Sequence, residues 1–396
     1  MSDVVHEAEA FLAANWPAAD LEAWIELVID ERWAALRWPV ASFGRGLPDD
    51  EAREVEAVFA EVGAPGPGQD KFNLWAGTLV AFGSPALQEM YLRRLLLDEV
   101  AMCLLYSEPG AGSDLAGIRT TAVRDGDEWI VNGQKVWTSG ARDAEFGMLI
   151  ARTDWDQPKH RGITFFWFPM KQAGVEVRPL RQATGDARFN EVFITDARVP
   201  DSHRVGELNA GWWVLQTALA YERVAMGGSR RGPSGPARGA TAQAHGTIPT
   251  PDISLVKLAR AMGKNHDPHV RQQLMRLHAQ RTVNEWNSAR ARAATASGGS
   301  SPLASLGKLA MAQILHAAGH LQGELLGMEG TLDGDQNERA RDANYSQLNA
   351  YFYSIGGGTD QIQRNIIGER VLGLPKEPEV DRAMPFKDVP ASSTRR

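Results

Sequence analysis

Hydrophobic positions recur along the chain with two different periods, and the change of period divides it. Over residues 1–102 the spacing is helical. In DDEAREVEAVFAEVG, from Asp49, the residues Val55, Val58, Phe59 and Val62 fall on one face, acidic residues fill the first turn, and Gly63 follows as a stop. PALQEMYLRRLLLDEV, from Pro85, reads as a second helix of this kind. From residue 103 the pattern shortens. TTAVRDGDEWIVNGQKVWTSG places Asp125-Gly126 and Asn132-Gly133 between short β-rich runs, and such dipeptides favour hairpin turns. Ile163–Met170, Gly174–Leu180 and Asn190–Pro200 continue as strands. Helical spacing returns at Gly211–Gly228. Leu255, Leu258 and Met262, then Val270, Leu274 and Leu277, form stripes on either side of Asp267-Pro268, a cap followed by a first-turn proline. Leu303, Leu306, Ala310, Ile314 and Leu321 mark another helix, and Gly358–Leu374 a last one. The fold class expected is α+β: an N-terminal helical domain (1–102), a middle antiparallel β domain (103–208), a C-terminal helical bundle (209–375) and a loose tail (376–396).

Composition narrows the function classes. The 396 residues carry a net charge of −7, 43% hydrophobic and 23% charged residues, which describes an ordinary globular protein with no pull toward nucleic acid or anionic membranes. Cys103 is the single cysteine, so no intrachain disulfide forms, and a reducing compartment such as the cytoplasm is expected. MSDVVHEAEAFLAANW has neither the basic start nor the apolar core of a signal peptide. No apolar run approaches the ~20 residues of a membrane span.

Some features point weakly to chemistry. Ser229–Asp252 is basic and Gly-rich, but lacks the strand and GK[ST] of a phosphate loop and reads as a surface loop. His316 and His320 share a helix face, with no third ligand in view, and no metal site is expected. Two other stretches are stronger. LLYSEPGAGSDLAGIRT (Leu104–Thr120) stands where helix gives way to strand. Its glycines let backbone approach a flat or anionic ligand, and Ser107 and Ser113 offer hydrogen bonds. VWTSG (Val136–Gly140) offers an aromatic wall and two hydroxyls. On residue chemistry alone, a ligand site and a simple tight turn both stay open.

SEPGAGSD, NGQKVWTSG, NEVFITDARVP and GGGTDQIQRNIIGER, in this order, resemble the acyl-CoA dehydrogenase family over about residues 30–375. The resemblance implies FAD as cofactor, an acyl-CoA thioester desaturated between its α and β carbons, and an electron-transferring flavoprotein as acceptor. It implies that Ser107, with Leu104, Tyr106 and Gly112 around it, faces the flavin. Trp137, Thr138 and Ser139 pack against the ring, and Thr359 and Gln361 hold the dinucleotide. Ser113 touches the CoA arm. Many members carry the catalytic base directly before the Gly-Thr of the last motif, where this chain has Gly357. The isovaleryl-CoA and long-chain branch carries its Glu on the first helix of the C-terminal domain, before an Arg. The matching residues here are Glu222 and Arg223 in ALAYERVAMGG. The resemblance thus implies Glu222 as base, with Arg223 and Gly357 lining the substrate.

Two departures stand out. Tyr106 replaces the usual small or aliphatic residue. The family's Arg-x-x-Phe-Gly, whose Arg reaches FAD across a subunit interface, is absent from LARAMGKNHDPHVRQQL, where Arg260 and Arg271 are the substitutes available. The glycine-rich motif is similar to that of actinobacterial enzymes acting on bulky thioesters such as steroid side chains. A homo- or hetero-oligomer is expected. Two other functions fit the same motifs: a non-catalytic subunit of a mixed oligomer, and a flavin oxidase or monooxygenase.

Overall fold

A computed structural model describes residues 2–227, 251–296, 302–332, 337–378 and 381–390. They form two compact units, one of residues 2–181, 187–227 and 381–390, the other of 182–186, 251–296, 302–332 and 337–378. The Gly- and Pro-rich segment lies outside the described residues up to position 250.

The first unit opens with α1 (Asp3–Asn15), α2 (Leu21–Asp30), α3 (Asp49–Glu61), α4 (Gln69–Phe72), α5 (Leu74–Phe82) and α6 (Pro85–Leu96). Local chemistry sets their starts. The Asp20 carboxylate accepts from the Glu22 and Ala23 amides, Asn73 caps α5 at Ala76, and Ser84 precedes the first-turn Pro85. Gly63 stops α3 at φ +70, but Val62, which the spacing groups with the inner face, is 50% exposed beyond the helix end.

Eight strands follow: β1 (Met102–Leu105), β2 (Thr121–Asp125), β3 (Glu128–Lys135), β4 (Phe146–Arg152), β5 (Ile163–Pro169), β6 (Val175–Leu180), β7 (Phe189–Pro200) and β8 (Arg204–Val205). They lie in one sheet, ordered β6-β7-β3-β2-β4-β5-β8, with β1 also on β4. The expectation of a purely antiparallel domain is corrected here: β1 and β2 both run parallel to β4. The loop after β1 is long enough to carry the chain back before β2, so these strands need no hairpin.

Alternate residues of the central strands feed two cores. Met148, Ile150, Phe165 and Trp167 join the N-terminal helices, whereas Leu149, Ala151, Phe166 and Phe168 meet Trp129, Val131, Val192 and Val199 from β3 and β7. Both faces of β4 are therefore buried, and its sequence FGMLIAR shows no polar alternation.

Asp125-Gly126 turns β2 into β3, with Gly126 at φ +67. Asn132-Gly133 does not make the expected hairpin. It lies inside β3 at a register shift against β7. The Asn132 amide instead pairs side on with Asp196, donating to its carboxylate at 3.0 Å and accepting from its backbone N–H at 2.9 Å. Gly133 is required by contact, because a Cβ there would stand 2.3 Å from Thr120 Oγ1.

Helix α7 (Gly211–Gly227), which the spacing groups with the C-terminal bundle, packs on α5 and β5 within the first unit. Residues 381–390, expected to be loose, are seated on the sheet through the buried Phe386. The second unit comprises α8 (Pro251–Ala261), α9 (Pro268–Ala296), α10 (Ala304–Leu326), α11 (Glu338–Ile355) and α12 (Asp360–Ile366), continued by a wider turn over Ile367–Val371. Asp267 caps α9 at His269 and Val270 as its sequence indicates. Leu255, Ala259, Leu277, Ile314, Ala318, Leu321 and Leu325 form the core of this unit. No described helix is long and apolar enough to cross a membrane.

Gly133→Ala will destabilise the protein by about 1–3 kcal/mol, because the added Cβ would also stand 2.8 Å from the Thr120 Cα, which is backbone. A urea midpoint equal to that of the wild type would show that the contact yields freely.

Candidate active site

Lys135 and Glu108 join the two sequence motifs. The Lys135 side chain is fully buried. Its ammonium donates to Tyr106 O at 3.1 Å, Ile150 O at 2.9 Å and Glu108 Oε1 at 2.9 Å, one acceptor for each of its protons. Glu108 also accepts from the Arg119 and Thr120 amides at 2.7 and 2.9 Å. Burial alone would raise this carboxyl, but the Lys135 charge and the amide donors outweigh it and hold it below its ordinary value. Val136 N adds a bond to Ser107 O at 2.9 Å. Neither Glu108 nor Lys135 stood out in the sequence. The available signal was a lone Lys at an inward position of a strand, which has to find a counter-charge.

Beyond Glu108 the loop turns tightly. Glu108 and Ala111 exchange both backbone hydrogen bonds at 3.0 Å around Pro109-Gly110. The turn is real, yet it does not demand glycine: Gly110 and Gly112 have no positive φ, and an added Cβ at either would meet open space. Ser107 is half-buried, while Gly112 and Ser113 are exposed. Leu104 is half-buried against the first core. The Tyr106 side chain is buried in that core, edge-on to Phe165 with ring centroids 6.1 Å apart, its hydroxyl donating to Met148 Sδ at 3.6 Å.

Past the end of β3, Trp137 takes φ +64, unusual for a bulky residue, and leaves its ring 55% exposed with its edge on Phe189. Thr138 is locked beside it. Its N–H and C=O pair with the backbone of Asn190 at 3.1 and 3.0 Å, and the Asn190 amide donates to the same carbonyl at 2.9 Å. Thr138 Oγ1 and Asn190 Oδ1 are buried with no partner in the protein. Ser139 is half-buried. Ser107, Trp137, Thr138 and Ser139 are thus carried on one connected frame, β1–loop–β3.

Glu222 stands on α7. Leu215 and Ala218 are fully buried on this helix, Leu219 packs on the first core, and Glu222 continues their stripe at i+7, i+4 and i+3. Glu222 is half-buried there. Burial, and next the charge of Glu222, push the Tyr106 phenol well above its ordinary value, so the carboxylate stands within electrostatic reach of that ring. The adjoining Tyr221 fixes the helix. Its ring covers Gly77 of α5, where a Cβ would lie 2.5 Å from the ring. The Arg223 side chain lies outside the described residues.

The remaining candidates belong to the second unit. Gly357 and Gly358 take φ +64 and +90, which accounts for two of the three consecutive glycines by backbone need. Thr359 caps α12 by accepting from Ile362 N at 3.2 Å. Gln361 is exposed, whereas Gln363, not singled out in the sequence, is 3% exposed and donates to Gly357 O at 3.0 Å. Arg260 and Arg271 are exposed. His316 pairs with Ser354 Oγ at 2.8 Å, and no group of three metal-binding side chains occurs among the described residues.

The acyl-CoA dehydrogenase middle domain matches residues 103–197 and the family's C-terminal domain residues 209–372. The chain belongs to the acyl-CoA dehydrogenase family, whose members are flavin oxidoreductases. It is 35% identical over 370 residues to acyl-CoA dehydrogenase IpdE1 of Mycobacterium tuberculosis, covering 90% of this chain and 88% of that one. Among solved structures, the ChsE4-ChsE5 complex of the same organism matches with a TM-score of 0.66 at 30% identity, covering 95% of this chain and 99% of that one. The Tcur3481-Tcur3483 steroid ACAD shares the fold, with a TM-score of 0.69 at 24% identity over 95% and 97% of the two chains.

Glu108→Gln leaves the Lys135 ammonium buried without its counter-charge and will cost about 3–5 kcal/mol of stability. Because the folded-state pKa of Glu108 is lowered, its contribution is present above the unfolded carboxyl value near ~4.3 and is lost as pH falls below it. Urea titrations at neutral pH and at pH about 3 check both: the gap between wild type and variant should be large in the first and shrink in the second.

Proposed function

We propose that the chain catalyses FAD-dependent α,β-dehydrogenation of an acyl-CoA thioester, with Glu222 as the base. The position of Glu222 carries this reading. It extends the packed stripe of α7 instead of the solvent face, and a base for a weakly acidic α-proton works best when partly withdrawn from water.

The residues fit a flavin. An exposed Trp137 ring, held at positive φ by a locked neighbour, offers a face to a flat ligand, and strain of this kind gathers at binding sites. Thr138 keeps unused hydrogen-bonding capacity beside it. Two glycines that the fold itself does not need suit close approach of a ligand to backbone. Ser107, Trp137, Thr138 and Ser139 would hold the ring, with Leu104, Gly112 and the backbone of Tyr106 around it. Thr359 and Gln361 would hold the dinucleotide, as the family resemblance assigns. When bound, FAD supplies the hydride acceptor.

The chain's own part in the reaction is orientation and proton transfer. Ser113 engages the CoA arm at the exposed end of the loop. Glu222 takes the α-proton onto its carboxylate, which is half-buried on α7. The family resemblance assigns Arg223 and Gly357 to the acyl group. Gly357 carries no carboxylate, so the base has to come from another element. The glycine-rich motif and the fold shared with a steroid ACAD favour a bulky acyl group, and an electron-transferring flavoprotein would reoxidise the enzyme. A second reading has one observation in its favour: a similar solved protein is a complex of two chains, ChsE4 and ChsE5. On that reading this chain works only with a partner subunit.

Anaerobic flavin bleaching by short, long and steroid-like acyl-CoAs tests the assignment. Glu222→Gln should hold FAD as the wild type does and bleach about 10²–10⁴-fold more slowly. Bleaching at the wild-type rate would remove Glu222 from its role, and a wild type that bleaches only after a partner chain is added would favour the second reading. Trp137→Gly relieves the positive φ, so its stability should stay within about 1 kcal/mol of the wild type. Its flavin affinity should fall about tenfold, read by the absorbance retained after gel filtration.

A further inference from the structure

The family match ends at residue 372, yet ten residues further on the chain is packed on the sheet of the first unit. Pro385 pairs with Pro158. Phe386 N donates to Gln157 O and Lys387 N to Trp155 O, each at 2.9 Å, and Lys387 forms an ion pair with Asp156. The Phe386 ring is 2% exposed. It lies 3.8 Å from the Arg152 guanidinium carbon and 5.1 Å from that of Arg119, while Arg119 also donates to Val389 O at 3.3 Å. Arg152 is itself fully buried. Its hydrogen bonds go to carbonyls, those of Lys159, Ala116 and Ile118, so the aromatic face is what covers the remaining charge.

The same segment reaches the loop by a second route. Lys159 is 8% exposed and lies between two carboxylates, at 3.2 Å from Asp114 Oδ1 and 3.2 Å from Asp381 Oδ2. Asp114 follows Ser113 directly. The Glu108–Lys135 pair pins the near end of the Gly-rich loop, and Asp114–Lys159–Asp381 pins its far end. Residues 110–113 between them are held by neither pair.

We propose that Asp381 and Phe386 are positioning residues for acyl-CoA binding. The strap 381–390 fixes Lys159 and Arg152, these fix Asp114 and the carbonyls of 116–118, and Ser113 is thereby presented to the CoA arm. Neither residue touches the reacting carbons, so the strap acts on thioester affinity and leaves the chemical step alone. This rests on the assignment of Ser113 to the CoA arm made above.

Two variants test it: a chain ending at residue 380, and full-length Asp381→Asn, which removes one charge and keeps the ring. Both should retain FAD. Amide hydrogen exchange over residues 110–118 should quicken in both, more in the truncation. The KM for an acyl-CoA should rise about three- to tenfold, the size of one ordinary hydrogen bond lost, with kcat kept. Exchange at the wild-type rate in both variants overturns the strap. Faster exchange with an unchanged KM overturns its link to the thioester. A wild type whose flavin no acyl-CoA reduces would count against the reaction itself, and the exchange comparison would still decide the strap.

Discussion

One buried cation organises the candidate site. An ammonium inside a protein is stable only with every proton directed at an acceptor. Lys135 meets this by drawing two separate pieces of chain onto β3: the stretch after β1, through the Tyr106 carbonyl and the Glu108 carboxylate, and β4, through the Ile150 carbonyl. The strand that carries Lys135 then ends directly in Trp137 and Thr138. The loop and the aromatic wall are therefore referenced to the same atom, and neither can shift without leaving a charge or a carbonyl unpaired. Such a pair adds little to net stability compared with an apolar packing of equal volume, and its value lies in fixing one arrangement.

The sheet can carry this arrangement because it is buried on both sides. Odd and even residues of β4 and β5 enter different cores, one shared with the N-terminal helices and one formed by the sheet with β3 and β7. Helix α7 is laid on the same frame by two close contacts. Gly211 lies against the backbone of Thr164 and Phe165, and Tyr221 lies against Gly77. These set both its position and its rotation, and so the direction in which Glu222 is presented.

Periodicity carried the element types well. The helices from Asp49 and Pro85, the Asp267-Pro268 start and the strand region all follow from spacing and capping chemistry, which are local. What was not legible was non-local. Asn132-Gly133 has the composition of a turn, but the space beside Thr120 makes it a strand position. β1 gives no sign that it runs parallel to β4, because parallel pairing is decided by chain segments far apart. In the candidate site, Ser107, Trp137 and Thr138 were singled out through motif chemistry. Glu108, Lys135 and Gln363 were not, since each acts by holding another residue in place. The tail looked loose because its polar and Pro-containing sequence hides one aromatic whose partner, Arg152, lies more than two hundred residues earlier.

That separation sets an order of events during synthesis. The chain emerges from the ribosome at about 5–20 residues per second, so Arg152 is exposed on the order of ten to fifty seconds before Phe386 is made. For that interval the sheet carries a buried-site arginine with no ring over it, and the Lys159 ammonium has one carboxylate in place of two. The β region of the nascent chain is thus more polar on this face than that of the finished protein. A chain that stopped after Val371 would lack this cover, although the eight strands of the sheet and the described α-helices all lie before that point.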